Sequence, residues 1–196
     1  IGVHPKALIN FDSLSGELRQ AVARRVLGYA SPTGYFVDKL AEGVATIAAA
    51  FFPKKVIVRL SDFKSNEYSN LVGGDRYEPH EENPMLGFRG ASRYIAPEFY
   101  DCFALECEAM KRVRDDMGLV NVELMIPFVR TVAEAQGVIA LLKEHGLERG
   151  RNALGAGVPE LMADVPEVVR TMSRRIVPMS IPLAFCISVV VGVVCG

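Results

Sequence analysis

The sequence predicts an α/β fold built on parallel strands. Three observations carry that expectation. Stretches with helical apolar periodicity alternate with short β-branched runs, each run empties into a polar segment, and glycine or proline punctuates the joints. Val56 to Leu60 and Val122 to Phe128 are the strand-like runs. A succession of strand, helix, strand, helix leaves two architectures open, a closed barrel or an open doubly wound sheet. In both, ligands bind at the carboxyl ends of the strands.

The elements follow in order. Ile1 to Phe11 is apolar, with a turn-prone His4-Pro5. A helix is expected from Ser15 to Leu27, because Leu18, Val22 and Val26 recur every four residues and Gly28 ends the run. Ser31-Pro32 opens a second helix, a serine cap followed by proline in the first turn, which runs to about Phe52 and stops at Pro53. Val56 to Leu60 is mostly apolar and is expected to be buried on both faces, as in a parallel sheet. Ser61 to Pro84 reads as a long loop, and loops of that length in compact domains are usually functional or disordered. Its mixture of charges, aromatics and asparagines favours function. Leu86 to Arg89 is a further strand candidate. Pro97 to Met117 is a helix with Phe99, Phe103, Cys107, Met110 and Val113 on one face, closed by Gly118. Thr131 caps a last helix, Val132 to about Glu144, with Gly146 just beyond it.

Composition bounds the function. The chain has 196 residues, 50% apolar and 23% charged, which suits one globular domain of ordinary core size. With 22 basic and 23 acidic residues the net charge is −1, so nothing draws the chain in bulk to nucleic acid or an anionic membrane. Any anion site must be local. Cys102, Cys107, Cys186 and Cys195 form no CxxC pair, and reduced thiols in a cytoplasmic protein are expected. The two on the long helix read as core thiols. The chain opens on Ile1 without a basic-then-apolar leader, and a fragment is expected.

The candidate site lies where the strands end. Arg59 stands at the end of its strand, and Arg89 sits one residue from Gly90 and two from Gly87. A guanidinium offers a planar fork of donors suited to phosphate or carboxylate. Asp62, Lys64, Asn66 and Glu67 follow Arg59 closely. Lys64 either neutralises substrate charge or pairs with Asp62. Arg93 either extends the arginine cluster or sits solvated at a helix start. Glu81 and Glu82 read as solvated loop charges. Glu123, a charge in an apolar strand, either meets an arginine or points into the site, since an unpaired buried charge is costly. His4, His80 and His145 show no metal-ligand spacing, and no phosphate-binding glycine loop or Ser-His-Asp pattern is present.

Two segments carry a resemblance to a known family. VIVRLSDFKSNEYSNLVGG followed by YEPHEENPMLGFRGASRY closely resembles the C-terminal barrel of the phosphoenolpyruvate synthases, the pyruvate, water dikinases. Pyruvate phosphate dikinase and enzyme I of the sugar phosphotransferase system are wider relatives. The likeness extends from IGVHPKALINF through DCFALECEAMKRVRDDMGLVNVELMIPFVRT. It implies a partial (β/α)8 TIM-type barrel over residues 1–152, with extra N-terminal helices. It also implies magnesium in the complete enzyme, and the conversion of ATP, pyruvate and water to phosphoenolpyruvate, AMP and phosphate. In such enzymes a phosphohistidine on a mobile domain passes its phosphoryl group to pyruvate enolate. Arg59 and Arg89 match the family's substrate arginines. Partners implied are pyruvate or phosphoenolpyruvate, the phosphohistidine and ATP-binding domains of the parent enzyme, and a second copy in a homodimer.

The departures set the expectation for this chain. The family's Arg-x-Glu-Phe first-strand segment, its Cys-Glu-Ile-Pro and Gly-Ser-Asn-Asp metal-ligand segments and its Gly-x-Cys-Gly acid cysteine are not in the sequence. Cys195-Gly196 echoes the last only as a dipeptide. Residues 153–196 read as a divergent, atypical tail, accounted for by a frameshift or truncation. Residues 176–196 carry no charge, which makes them a membrane-span candidate by length and a poor one by their Pro178, Pro182 and Gly192. The resulting expectation is a synthase fragment that is inactive alone, poorly soluble, and without its own metal ligands or catalytic residues. The alternative is a non-catalytic anion-binding or tail-anchored protein using residues 176–196.

Overall fold

The computed structural model describes residues 1–85 and 87–147. The expected tail at 153–196 and its apolar end lie outside them. Seven helices and two strands run in the order α1 (Pro5–Ile9), α2 (Gly16–Arg25), α3 (Pro32–Phe51), β1 (Val56–Arg59), α4 (Ser65–Ser69), α5 (Ala91–Tyr94), α6 (Tyr100–Lys111), β2 (Val122–Met125) and α7 (Val132–Glu144). A π-helical turn over Arg112–Asp116 extends α6, and Gly118 at φ +69 ends it. The caps act as the sequence requires. Ser31 Oγ accepts from the Gly34 amide at 2.9 Å, and Thr131 Oγ1 from the Glu134 amide at 3.1 Å, each satisfying a donor that the helix itself leaves open.

β1 and β2 are parallel neighbours, with Val56 opposite Val122 and Arg59 opposite Met125. The α/β class therefore holds, with α4, α5 and α6 lying in the crossover between the strands. Of the strand candidate Leu86 to Arg89, residue 86 lies outside the described residues and 87–89 add no strand: 87 and 88 bend, and β1 pairs directly with β2. Nor is β1 covered on both sides. Val58, Val122 and Leu124 pack into the main core, whereas Ile57 on the other face is 59% exposed. Among the described residues the core packs on one face of this sheet, and the alternate residues Ile57, Arg59 and Met125 look outward. No helix among the described residues is long and apolar enough to cross a membrane.

The main core joins α3, α6, α7 and the inner strand face, through residues such as Val44, Phe103, Met110, Val122 and Val138. A second cluster ties α1 and α2 to the start of α3 through Leu8, Val22 and Tyr35. The expected long loop is not one. It folds into α4 and a 3-10 turn at Gly74–Arg76, and a buried polar centre pins it down. Arg93 grips Glu78 with both terminal nitrogens, at 2.6 and 2.8 Å, and donates to Ser65 Oγ and the Phe88 carbonyl. His4 Nδ1 accepts from the Lys6 amide, so its Nε2 carries the proton and faces Glu78 at 3.0 Å. Arg93, read as a candidate for the cluster or for solvent, is a core residue with 1% of its side chain exposed. Its guanidinium lies 4.3–4.9 Å from the ring centres of Phe88, Tyr68 and Phe99.

Candidate functional site

Arg59 and Arg89 come from different segments and meet at one carboxylate. Arg59 ends β1 with its side chain 35% exposed, and its Nη1 lies 3.3 Å from Asp62 Oδ2. Arg89 Nε donates to Asp62 Oδ1 at 2.9 Å. Asp62 is 3% exposed, so a nearly buried carboxylate bridges the two guanidinium groups. Two cations share one anion here, and Arg59, 35% exposed, is the more accessible of them, Arg89 being 8% exposed.

Glycine and the end of β2 decide where Arg89 points. Gly90 has φ +61, a conformation that suits glycine, and a Cβ there would overlap the Pro127 carbonyl oxygen. The same carbonyl accepts from the Ala91 amide at 3.0 Å, joining the start of α5 to the segment after β2. Phe128, at φ +49, lays its ring under Arg89 with the guanidinium carbon 4.1 Å from its centre. A bulky residue in the left-handed region is costly and persists where surrounding contacts over-determine it. Arg130 reaches back to the same segment, donating to the Gly87 carbonyl at 3.0 Å and Ser92 Oγ at 3.1 Å. The segment after each strand thus meets at one end of the sheet.

The remaining candidates fall elsewhere. Lys64 pairs with Glu67 at 3.6 Å within the capping box of α4. That contact is neither of the partners the sequence proposed for it, because a one-turn helix places the N3 carboxylate over its cap. Asn66 is exposed on the first turn of α4. Glu123 pairs with Lys55 at 2.6 Å and stands opposite Ile57, two residues before the Arg59 level. Glu81 is not a solvated loop charge. It accepts from Ser65 Oγ at 2.5 Å and from the Phe88 amide at 2.9 Å, closing the turn that carries Arg89. Cys102 and Cys107 are buried on α6, and burial pushes the Cys102 thiol up to about 12, the behaviour of a core thiol and not of a nucleophile.

Sequence reasoning missed Glu106. This buried α6 carboxylate accepts from the Ser61 amide at 2.7 Å and from Ser61 Oγ at 2.8 Å. Its signal was available: it follows Phe103 by three and precedes Met110 by four, so it lies on the apolar face of the helix. Burial raises its carboxyl to about 7, against the opposing pull of the two Ser61 bonds. A raised carboxyl binds its proton more tightly folded than unfolded. The associated stability is therefore full below about pH 4.5 and is lost as pH rises through 7. Urea unfolding at pH 5 and pH 8 is expected to show wild type losing about 3 kcal/mol more than Glu106→Gln over that interval. Parallel pH profiles for the two proteins would refute this assignment.

Among the described residues no group of three His, Cys, Asp or Glu side chains could hold a metal ion. The nearest acid, Asp62, is already engaged by both arginines.

These features define an α/β domain that gathers arginines around a buried carboxylate at the carboxyl ends of parallel strands. The family described as PEP-utilising enzyme, PEP-binding domain, matches residues 28–177, and the chain belongs to it. Over 154 residues, 79% of the chain, it is 68% identical to a phosphoenolpyruvate synthase of Neisseria meningitidis serogroup B. It is 64% identical to one from Pseudomonas aeruginosa and 63% identical to one from Escherichia coli K12, each likewise over 154 residues. These matches cover 19% of the Neisseria and Escherichia proteins and 20% of the Pseudomonas one, so the chain spans about a fifth of the curated relatives' length.

Proposed function

We propose that this chain is part of the substrate barrel of a phosphoenolpyruvate synthase, and that Arg59 and Arg89 hold the carboxylate and the transferring phosphoryl group of its three-carbon substrate. The observation that carries the reading is the convergence of both arginines on the Asp62 carboxylate. A carboxylate, an anion of the substrate's kind, already engages the pair internally, and Arg59 is the more exposed of the two for a second. In phosphoryl transfer the protein's main contribution is placement and offset of moving charge, which fixed guanidinium groups supply.

The same reading completes the fold as a (β/α)8 barrel. The open face of Ile57, Arg59 and Met125 would then line its interior, as alternate strand residues do in such barrels. It assigns residues 1–152 to the barrel and 153–196 to a divergent tail, although the family match itself runs on to residue 177. The parent enzyme would be cytoplasmic and homodimeric, taking its phosphoryl group from a phosphohistidine domain charged by ATP. Magnesium would act there as a Lewis acid on the substrate oxygens. The described residues do not fit such an ion, since no carboxylate cluster is present among them, and no step is derived through it. Asp62, Lys64, Asn66 and Glu123 stay proposed as supporting groups only, with Asp62 the best placed of them.

The purified 196-residue chain is expected to bind phosphoenolpyruvate without forming it. Titration followed by arginine side-chain NMR should perturb the Arg59 and Arg89 signals. ATP- and pyruvate-dependent phosphoenolpyruvate formation should stay at background. Turnover by the isolated chain would overturn the inactive-fragment reading, and saturating ligand without any arginine perturbation would overturn the clamp.

A further inference from the structure

Ser61 is the joint between β1 and the arginine pair, and three contacts hold it. Its amide and its hydroxyl both donate to the Glu106 carboxylate, at 2.7 and 2.8 Å. Its carbonyl accepts from the Tyr94 hydroxyl. Every polar group of this one residue is therefore fixed by a buried side chain from a helix, Glu106 from α6 and Tyr94 from α5. Tyr94 in turn stacks on Phe103, one turn before Glu106, with ring centres 4.4 Å apart. The next residue, Asp62, is the one that bridges Arg59 and Arg89.

We propose that Glu106 and Tyr94 are positioning residues for the arginine clamp, holding Ser61 so that Asp62 lands between Arg59 and Arg89. The physical need is clear. Backbone after a strand end is no longer held by ladder bonds, and β1 makes its last one at Leu60, whose amide donates to the Met125 carbonyl. Without the grip on Ser61 the Asp62 carboxylate would sample several positions. A bridging geometry at 2.9 and 3.3 Å tolerates little of that. An ionised carboxylate on an otherwise apolar helix face is also expensive, and the two bonds from Ser61 offset part of that cost. An isosteric amide in its place would accept from the Ser61 amide and donate to Ser61 Oγ, keeping the hold without the charge.

This inference rests on the clamp reading for its functional meaning, and its test separates the two. The probe is the Arg89 Nε–H proton, which Asp62 protects from exchange with solvent. It is read by NMR on the 196-residue chain, with phosphoenolpyruvate affinity measured alongside. In Glu106→Ala the protection is expected to fall at least about tenfold, and the affinity about tenfold with it, roughly the effect of one lost hydrogen bond. Glu106→Gln should restore both. Val138→Ala removes a buried methyl pair from α7, which makes none of the three Ser61 contacts, and controls for general loss of stability. It should change neither reading. Tyr94→Phe deletes a single hydroxyl and carries the same test should Glu106→Ala fail to fold. Unchanged Arg89 protection in a folded Glu106→Ala or Tyr94→Phe chain overturns the proposal, as does an equal loss in Val138→Ala. If protection responds as expected while even wild type binds no phosphoenolpyruvate, the positioning role stands and the clamp reading falls.

Discussion

Replacing Arg93 by alanine is expected to destabilise the chain by about 3–5 kcal/mol, the range for breaking a buried ion pair by removing one partner. Glu78 would be left 2% exposed with only His4 facing it, and Ser65 Oγ and the Phe88 carbonyl would each lose a donor. The space between Tyr68, Phe88 and Phe99 would also empty. Domains of ordinary stability have about 5–15 kcal/mol in all, so the loss is a large share. The Glu78 carboxyl shows what the network does. Burial would raise it, but the bonds from His4 and Arg93 outweigh burial and hold it below its ordinary value. Its contribution is therefore present above about pH 4.5 and is lost as pH falls through the lower folded value. Urea unfolding at pH 7 measures the first effect. A cost under about 1 kcal/mol, the scale of an exposed pair, would show that the network is not the anchor of residues 61–90.

The second large effect concerns ligand. Arg89→Lys keeps the charge but cannot donate from Nε to Asp62 while presenting a planar fork, and it loses the stack on Phe128. Phosphoenolpyruvate affinity is expected to fall about 10- to 100-fold, the equivalent of one charge-assisted hydrogen bond. Some stability should go with it, since Arg89 is 8% exposed and also donates to the Asp62 carbonyl, so binding is compared where both proteins are fully folded. Calorimetric titration of wild type and variant at fixed ionic strength reads the difference. Equal affinities would show that only the charge of Arg89 matters, and with it that the fork geometry has no role.

Much of the fold was legible because local signals and tertiary demand agree. Ser31-Pro32 and Thr131 capped the helices they promised, and the apolar face read on the long helix is buried throughout. The reading failed where contact partners are far apart in sequence. Ser61 to Pro84 is rich in polar and turn-forming residues and so looks like a loop. It is folded by Glu78 meeting Arg93 and His4, the latter 74 positions away. Likewise β1 was expected to be covered on both faces because its composition is apolar, but composition says nothing about how many layers surround a strand.

The candidate site divides the same way. Arg59, Arg89 and Asp62 were nameable from residue type and position beside strand-like runs. That they share one carboxylate, that Phe128 stacks on Arg89, and that Glu106 and Tyr94 hold Ser61 are facts of three dimensions. By itself the sequence determined which side chains could carry an anion, the caps and extents of α3 and α7, and a resemblance to the family to which the chain belongs. All of these depend on residue identity and near-neighbour spacing. Only the tertiary structure decided which charges are buried, that Arg93 serves the core, and that Arg59 and Arg89 share Asp62. Desolvation and hydrogen-bond geometry make those choices, and both are set by residues that the chain brings together from distant positions.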